Sequence, residues 1–95
     1  MAEVEHIQAS ATVHGRVQGV GFRYSARSRA ARLGLTGWVR NEPDGTVSVV
    51  CEGPRDKVGE FISWLRQGPP MAHVTNVDVR KKDATGTFRN FNVAF

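Results

Sequence analysis

The sequence predicts an α+β fold, an antiparallel sheet of four to five strands with two helices on one face, and three observations predict it. Four or five short segments alternate apolar and polar residues, two segments carry apolar residues at helical spacing, and Gly or Pro separates one segment from the next. Ninety-five residues, 40% of them hydrophobic, suffice for one core and no more, so a single domain over residues 1–95 is expected, with 1–6 as a loose N-terminal tail.

The first strand is expected over Ile7 to Val13, where Ile7, Ala9, Ala11 and Val13 alternate with polar residues. Gly15, Gly19 and Gly21 break that pattern. Phe22, Ala26, Ala30 and Leu33 then recur at helical spacing until Gly34, which supplies a C-terminal stop. Thr36 to Asn41 and Thr46 to Glu52 flank Asn41-Glu42-Pro43-Asp44-Gly45, a run of turn residues, and so form a hairpin with Val47, Val49 and Cys51 facing one way. Pro54 at a first helical position opens the second helix, whose stripe is Val58, Phe61, Ile62 and Leu65 and whose end is Gly68-Pro69-Pro70. Val74 to Arg80 and Phe91 to Phe95 complete the strands, with a polar loop at Lys81 to Gly86 between them.

Strand, helix, strand, strand, helix, strand, with a short final strand, is the ferredoxin-like βαββαβ plan, in which right-handed crossovers put both helices on the same side. That plan hosts many unrelated activities, so function has to be read from a site.

Composition removes several classes. The N-terminus lacks a basic and then apolar leader, and no apolar run approaches the ~20 residues of a membrane helix. A soluble, cytoplasmic protein without a membrane partner is expected. Cys51 is the lone cysteine, and His6, His14 and His73 share no ligand spacing, so neither a disulfide framework nor a metal site is expected. The net charge of +4, with Arg16, Arg23, Arg27, Arg29 and Arg32 in one segment, favours anions only in a general way, since such a cluster also suits a solvated helix face.

The segment Gly15 to Arg23 breaks local rules. The helix it leads into has no Ser, Thr, Asp or Asn cap, although a cap typically contributes about 1 kcal/mol. Arg23 falls in the first turn, where the helix dipole disfavours a cation by roughly 0.3 to 1 kcal/mol. A bound phosphate-like anion resolves both, because loop amides and the helix N-terminus would donate to its oxygens while Arg23 clamps it. Gly19 and Gly21 permit positive φ and a close approach of ligand to backbone. A Walker loop is excluded by Val20 and Gly21 where Gly and Lys are needed, and a dinucleotide fingerprint by Tyr24 in place of its third Gly.

The run Val13-His14-Gly15-Arg16-Val17-Gln18-Gly19-Val20-Gly21-Phe22-Arg23 resembles the signature of the acylphosphatases, small enzymes that hydrolyse the carboxyl-phosphate bond of acyl phosphates. Gly37-Trp38-Val39-Arg40-Asn41, followed by Gly45-Thr46-Val47 and Gly53, is similar to that family's other signature, and Leu33-Gly34-Leu35 and Phe91-Asn92-Val93 agree with it. The resemblance implies that Arg23 and the loop of Gly15, Arg16, Val17, Gln18, Gly19 and Val20 bind the phosphoryl group, and that Asn41 positions the attacking water. It also implies a small acyl phosphate as substrate, inorganic phosphate as product, no cofactor and no metal, and a monomer. Asn41 cannot act as a base, because an amide does not titrate near neutrality, but its carbonyl can orient water. Gln18 is a candidate brace for the loop, Trp38 a better candidate than Trp64 for flanking the site, and Cys51 a core residue. Glu42 would bring a negative charge beside an anionic substrate, unless strand alternation turns it away from Asn41.

Two rivals compete with this reading. An RNA-binding module shares the element order, but the first and third strands lack the aromatic residues on which such modules stack bases. A non-catalytic anion-binding domain, of the kind that occurs within larger carbamoyl-transfer proteins, would keep the cradle without turnover. The presence of both Arg23 and Asn41 argues against it.

Overall fold

The computed structural model describes residues 4–95. It contains β1 (His6–Arg16), α1 (Phe22–Arg32), β2 (Thr36–Asn41), β3 (Val47–Pro54), α2 (Arg55–Gln67), β4 (His73–Asp83) and β5 (Phe91–Ala94). The five strands form one sheet in the order β4-β1-β3-β2-β5. The expected antiparallel pairing holds for four strands, whereas β5 lies parallel to β2, with Gly37 opposite Phe91 and Val39 opposite Val93. The sheet is therefore mixed, because the chain crosses from β4 at one edge to β5 at the other.

The alternation in β1 has its expected consequence. Ile7, Ala9, Ala11 and Val13 are buried beneath the helices, together with Val47, Val49 and Cys51 of β3. Burial pushes the Cys51 thiol up to about 12, so it behaves as a small apolar side chain. Phe22, Ala26 and Ala30 form the buried stripe of α1, and the two alanines let that helix approach the sheet closely. Val58, Phe61, Ile62 and Leu65 form the corresponding stripe of α2. An aromatic chain ties the layers: Phe61 meets Phe91 of β5 edge-on at 5.7 Å and Trp64 in a stack at 6.1 Å, and Trp64 meets Phe22 at 5.6 Å. Phe22 is the first residue of α1, so this packing fixes where that helix begins.

Element ends differ from expectation in four places. Within the segment 1–6 expected as a tail, His6 begins β1 and Glu5 is bound to Arg55 through both a backbone and a side-chain contact; residues 1–3 lie outside the described residues. Pro54 closes β3 and caps α2 instead of occupying its first turn. Thr46 belongs to the hairpin turn, held there by Asp44, which accepts from both its N–H and its hydroxyl. The expected polar loop begins later, because β4 runs on to Asp83 opposite Ile7. Lys81, Lys82 and Asp83 are polar because β4 is an edge strand, where charge protects against further pairing.

The β4–β5 crossing passes over the face of the sheet that the helices leave open, and Glu52 anchors it. This buried carboxylate accepts from Gln8 Nε2 (2.7 Å), from Thr85 N and Oγ1 (both 2.8 Å) and from Gly86 N (3.0 Å). Desolvation alone would raise its pKa, but the bonds from Thr85, Gln8 and Gly86 overcome it and hold the group at about 2, down from 4.5. A depressed carboxylate pKa stabilises the fold above the unfolded value and loses that contribution as pH falls through the folded value. Glu52→Gln is expected to cost roughly 3 kcal/mol at neutral pH, with the gap to the parent closing as pH approaches about 2. Urea titrations of both proteins across that range check this; a gap that stays constant with pH would contradict it.

Candidate active site

The site begins at a break in β1. The register with β4 shifts between His14 and Gly15, and Gly15 adopts φ 120°, a conformation open to few residues but glycine. A Cβ there would run into the carbonyl oxygen of His73, so only glycine lets the strand turn off the sheet at this point. The chain then forms an irregular loop from Val17 to Gly21 before α1 starts at Phe22.

Within that loop Gly19 and Gly21 both have φ 74°, and Val20 between them does not share the positive sign. Alternation of hand along a backbone curls it into a concave nest of N–H groups. Gly21 is the N-cap of α1 and supplies no side-chain bond. Among the described residues, the backbone N–H groups of residues 17–24 have no hydrogen-bond acceptor. The nest and the first turn of α1 thus present a row of free donors at the positive end of a helix dipole.

Asn41 reaches this row through the sheet register. Val47 of β3 lies opposite Val13 of β1 on one side and opposite Asn41 of β2 on the other. With neighbouring strands about 4.8 Å apart, Asn41 sits only ~10 Å from Val13, two residues before Gly15. Its side chain shares the helix-facing side of β2 with buried Val39, as alternation requires. Asn41, Arg23, Val17, Gly19, Gly21, Phe22 and Tyr24 line one cleft of about 150 Å³. At about 30 Å³ per water, that is room for a tetrahedral anion and a water. The Asn41 Oδ1 atom is fully buried and accepts no hydrogen bond from any described residue. A buried acceptor left unpaired costs about 1–3 kcal/mol, a penalty that a donor entering the cleft removes.

Of the sequence-derived candidates, Val17, Gly19, Arg23 and Asn41 meet at the cleft wall, while Gly15, Arg16, Gln18 and Val20 do not line it. Arg16 is exposed at the end of β1 opposite His73. The Gln18 side chain points away from the nest and donates to two carbonyls of the β2–β3 turn, Glu42 O at 2.8 Å and Thr46 O at 2.9 Å. It braces the loop against the strand that carries Asn41. Tyr24 was not among the candidates, and its only sequence signal is its place directly after Arg23 in the first turn. The Arg23 guanidinium carbon lies 5.0 Å from the centre of the Phe95 ring, a cation–π contact on the side away from α2.

Two expectations change. Trp38 does not flank the site: alternation turns it to the open face of the sheet, where the Arg40 guanidinium carbon lies 4.9 Å from its ring centre. Glu42 likewise faces away from Asn41 and pairs with Arg40 Nε at 2.8 Å. That bond, followed by one from Ser48, holds the Glu42 carboxyl below its ordinary range. Its negative charge is therefore met by Arg40 on the face opposite the cleft. His14 also turns to the open face and bonds Asp78 at 2.9 Å, while His6 and His73 are exposed. No cluster of three metal-ligating side chains occurs among the described residues.

Removing the Gln18 brace tests this geometry without touching the cleft. Gln18→Ala is expected to lower stability by about 1–3 kcal/mol, because two turn carbonyls lose a shared donor, and to weaken inhibition by inorganic phosphate several-fold. A calorimetric scan and a phosphate titration check both; unchanged phosphate inhibition would mean that the loop holds its shape unaided.

Residues 9–93 match the acylphosphatase family model. The acylphosphatase of Acaryochloris marina is 52% identical over 83 residues, 87% of this chain and 88% of the relative. The crystal structure of acylphosphatase from Bacillus subtilis superposes with a TM-score of 0.91 at 35% identity, over 94% of this chain and 99% of that one. An acylphosphatase structure from Coxiella burnetii gives a TM-score of 0.85 at 38% identity, over 99% of this chain and 100% of that one. With matches of this extent and a cleft that joins a phosphate-type nest to a buried amide, the chain belongs to the acylphosphatase family.

Proposed function

We propose that Arg23, the Val17–Gly21 amides and Asn41 carry out the hydrolysis of acyl phosphates in this cleft. The activity follows from membership of the family: the protein is a hydrolase that takes small-molecule acyl phosphates and releases inorganic phosphate. The division of labour among residues rests on one observation above all: Asn41, whose Oδ1 is buried without a partner among the described residues, lines the same cleft as Arg23 and the nest.

The chemistry asks little more of the protein. Free N–H donors of the nest and the α1 N-terminus hold the non-bridging phosphoryl oxygens, and Arg23 adds a charge-assisted clamp. Asn41 Oδ1 accepts a hydrogen bond from water and aims its oxygen at phosphorus. The water oxygen–phosphorus bond forms as the phosphorus–carboxyl oxygen bond breaks, and the carboxylate departs with the bonding electrons. The water proton passes to a phosphate oxygen or to solvent. A carboxylate is a good leaving group without protonation, so positioning and charge stabilisation carry the rate and no covalent enzyme intermediate is needed. Neutral Asn41 suits this role, since a carboxylate at its place would repel the phosphate.

This reading extends to a cytoplasmic monomer that binds neither nucleic acid nor membrane. The burial of Cys51 suits a reducing compartment, and no helix among the described residues is long and apolar enough to cross a membrane. The exposed large apolar residues Val4, Tyr24, Met71 and Phe95 lie on separate segments and form no run along the sequence. The absence of Phe, Tyr and Trp from β1 and β3 supports the exclusion of RNA.

The deciding experiment is hydrolysis of benzoyl phosphate in excess chelator by the parent, Arg23→Ala and Asn41→Ala, with folding checked by circular dichroism. Loss of an oriented donor or acceptor is expected to lower kcat by on the order of 10²-fold or more in each variant, and phosphate inhibition is expected to disappear with Arg23. Asn41→Ala should retain that inhibition, because it positions water and not phosphate. A folded parent that binds phosphate without turnover would instead mark a non-catalytic anion-binding domain.

A further inference from the structure

A second, larger depression adjoins the cleft. It measures about 510 Å³, lies between α1 and the C-terminal end of α2, and is lined by Tyr24, Ser28, Arg29, Arg32, Trp64 and Pro69 among others. Tyr24 lines both spaces, so the depression opens beside the phosphate nest and not on a remote surface. Its lining joins Trp64, Pro69 and Pro70 to the cations Arg29 and Arg32 and to polar Ser28 and Gln67.

The charge in that lining has no internal counterpart. α1 carries four arginines, Arg23, Arg27, Arg29 and Arg32, and no acidic residue. Among the described residues, none of the four forms an ion pair. Arg29 and Arg32 are favourable to the helix dipole in the last turn, which accounts for their sign. It does not account for the placement of Arg29, whose guanidinium carbon is 5.9 Å from the centre of the Trp64 ring in the lining of the depression.

We propose that this groove is a subsite for the acyl half of the substrate, selecting acyl phosphates whose acyl group is an extended chain that ends in a carboxylate. The terminal carboxylate pairs with Arg29 and Arg32, and the methylenes lie along Tyr24, Trp64 and Pro69. The inference rests on the acyl-phosphate reading of the cleft. Arg29 is six residues beyond Arg23, a distance of about 9 Å along the helix axis. With carbon–carbon bonds of about 1.5 Å, a chain of roughly six to eight carbons spans that gap, whereas an acetyl group reaches none of it.

The test compares acetyl phosphate with the mono-acyl phosphates of linear dicarboxylic acids of four, six and eight carbons, using the parent, Arg29→Ala, Arg32→Ala and Lys81→Ala. In the parent, kcat/KM is expected to rise about tenfold from the shortest to the best diacid. Arg29→Ala and Arg32→Ala should each remove most of that rise and leave acetyl phosphate hydrolysis unchanged. Lys81→Ala removes the same charge from the distant edge strand and should keep the full rise. A flat length profile in a parent that hydrolyses every substrate would overturn the subsite alone, and so would an equal loss of the rise in Lys81→Ala, which would assign it to overall charge. A parent inactive on all of them, acetyl phosphate included, would overturn the acyl-phosphate reading together with the subsite built on it.

Discussion

The site depends on one topological constraint, the parallel alignment of β1 and β2 on either side of β3. Both pair antiparallel with β3, so their C-terminal ends emerge at the same edge of the sheet. Asn41 ends β2, and the loop whose N–H groups have no acceptor among the described residues follows β1. Val47 keys both strands to one level. Without that common crossbar, a nest and an asparagine twenty residues apart in the chain would have no reason to share a cleft.

The rest of the molecule holds that edge in shape. Gly15 turns the chain off the sheet where no Cβ fits against His73, and Phe22, packed on Trp64, fixes the first residue of α1. Between these two fixed points the loop is short, and Gln18 closes it onto the β2–β3 turn. At the opposite end, Glu52 binds the long crossing that carries the chain to β5, the strand that completes the edge beside β2. A buried carboxylate with four donated bonds is costly to assemble but specific, since only one arrangement of the crossing satisfies all of them.

Local frustration and function coincide at the start of α1. A helix without a side-chain cap, with four arginines, one of them in its first turn, and no ion pair to any of them among the described residues, is less stable in isolation than an ordinary helix of the same length. The fold tolerates this because the alanine and phenylalanine stripe of α1 is buried against the sheet. The result is an edge whose N–H donors have no acceptor among the described residues, the kind of local conflict that marks a site.

The sequence by itself determined the element order, both buried helix faces, the alternation of β1 and β3, and the glycine-broken loop before α1, because each is written in residues close together in the chain. Apolar period, glycine placement and a missing cap are local signals, and they mark the irregular loop between β1 and α1. The resemblance to a family then singled out Asn41, which as a lone Asn before Pro-Asp-Gly carries no more signal than a turn. Only the tertiary structure decided that β5 runs parallel to β2, that Glu52 is a buried anchor and not a surface acid, and that Gln18 braces the turn. It also turned Trp38 and Glu42 to the face opposite the cleft, and brought Tyr24 and Trp64 together around a groove that no local pattern announces. These facts depend on register and on contacts between residues tens of positions apart, and such pairings leave no period in a single sequence.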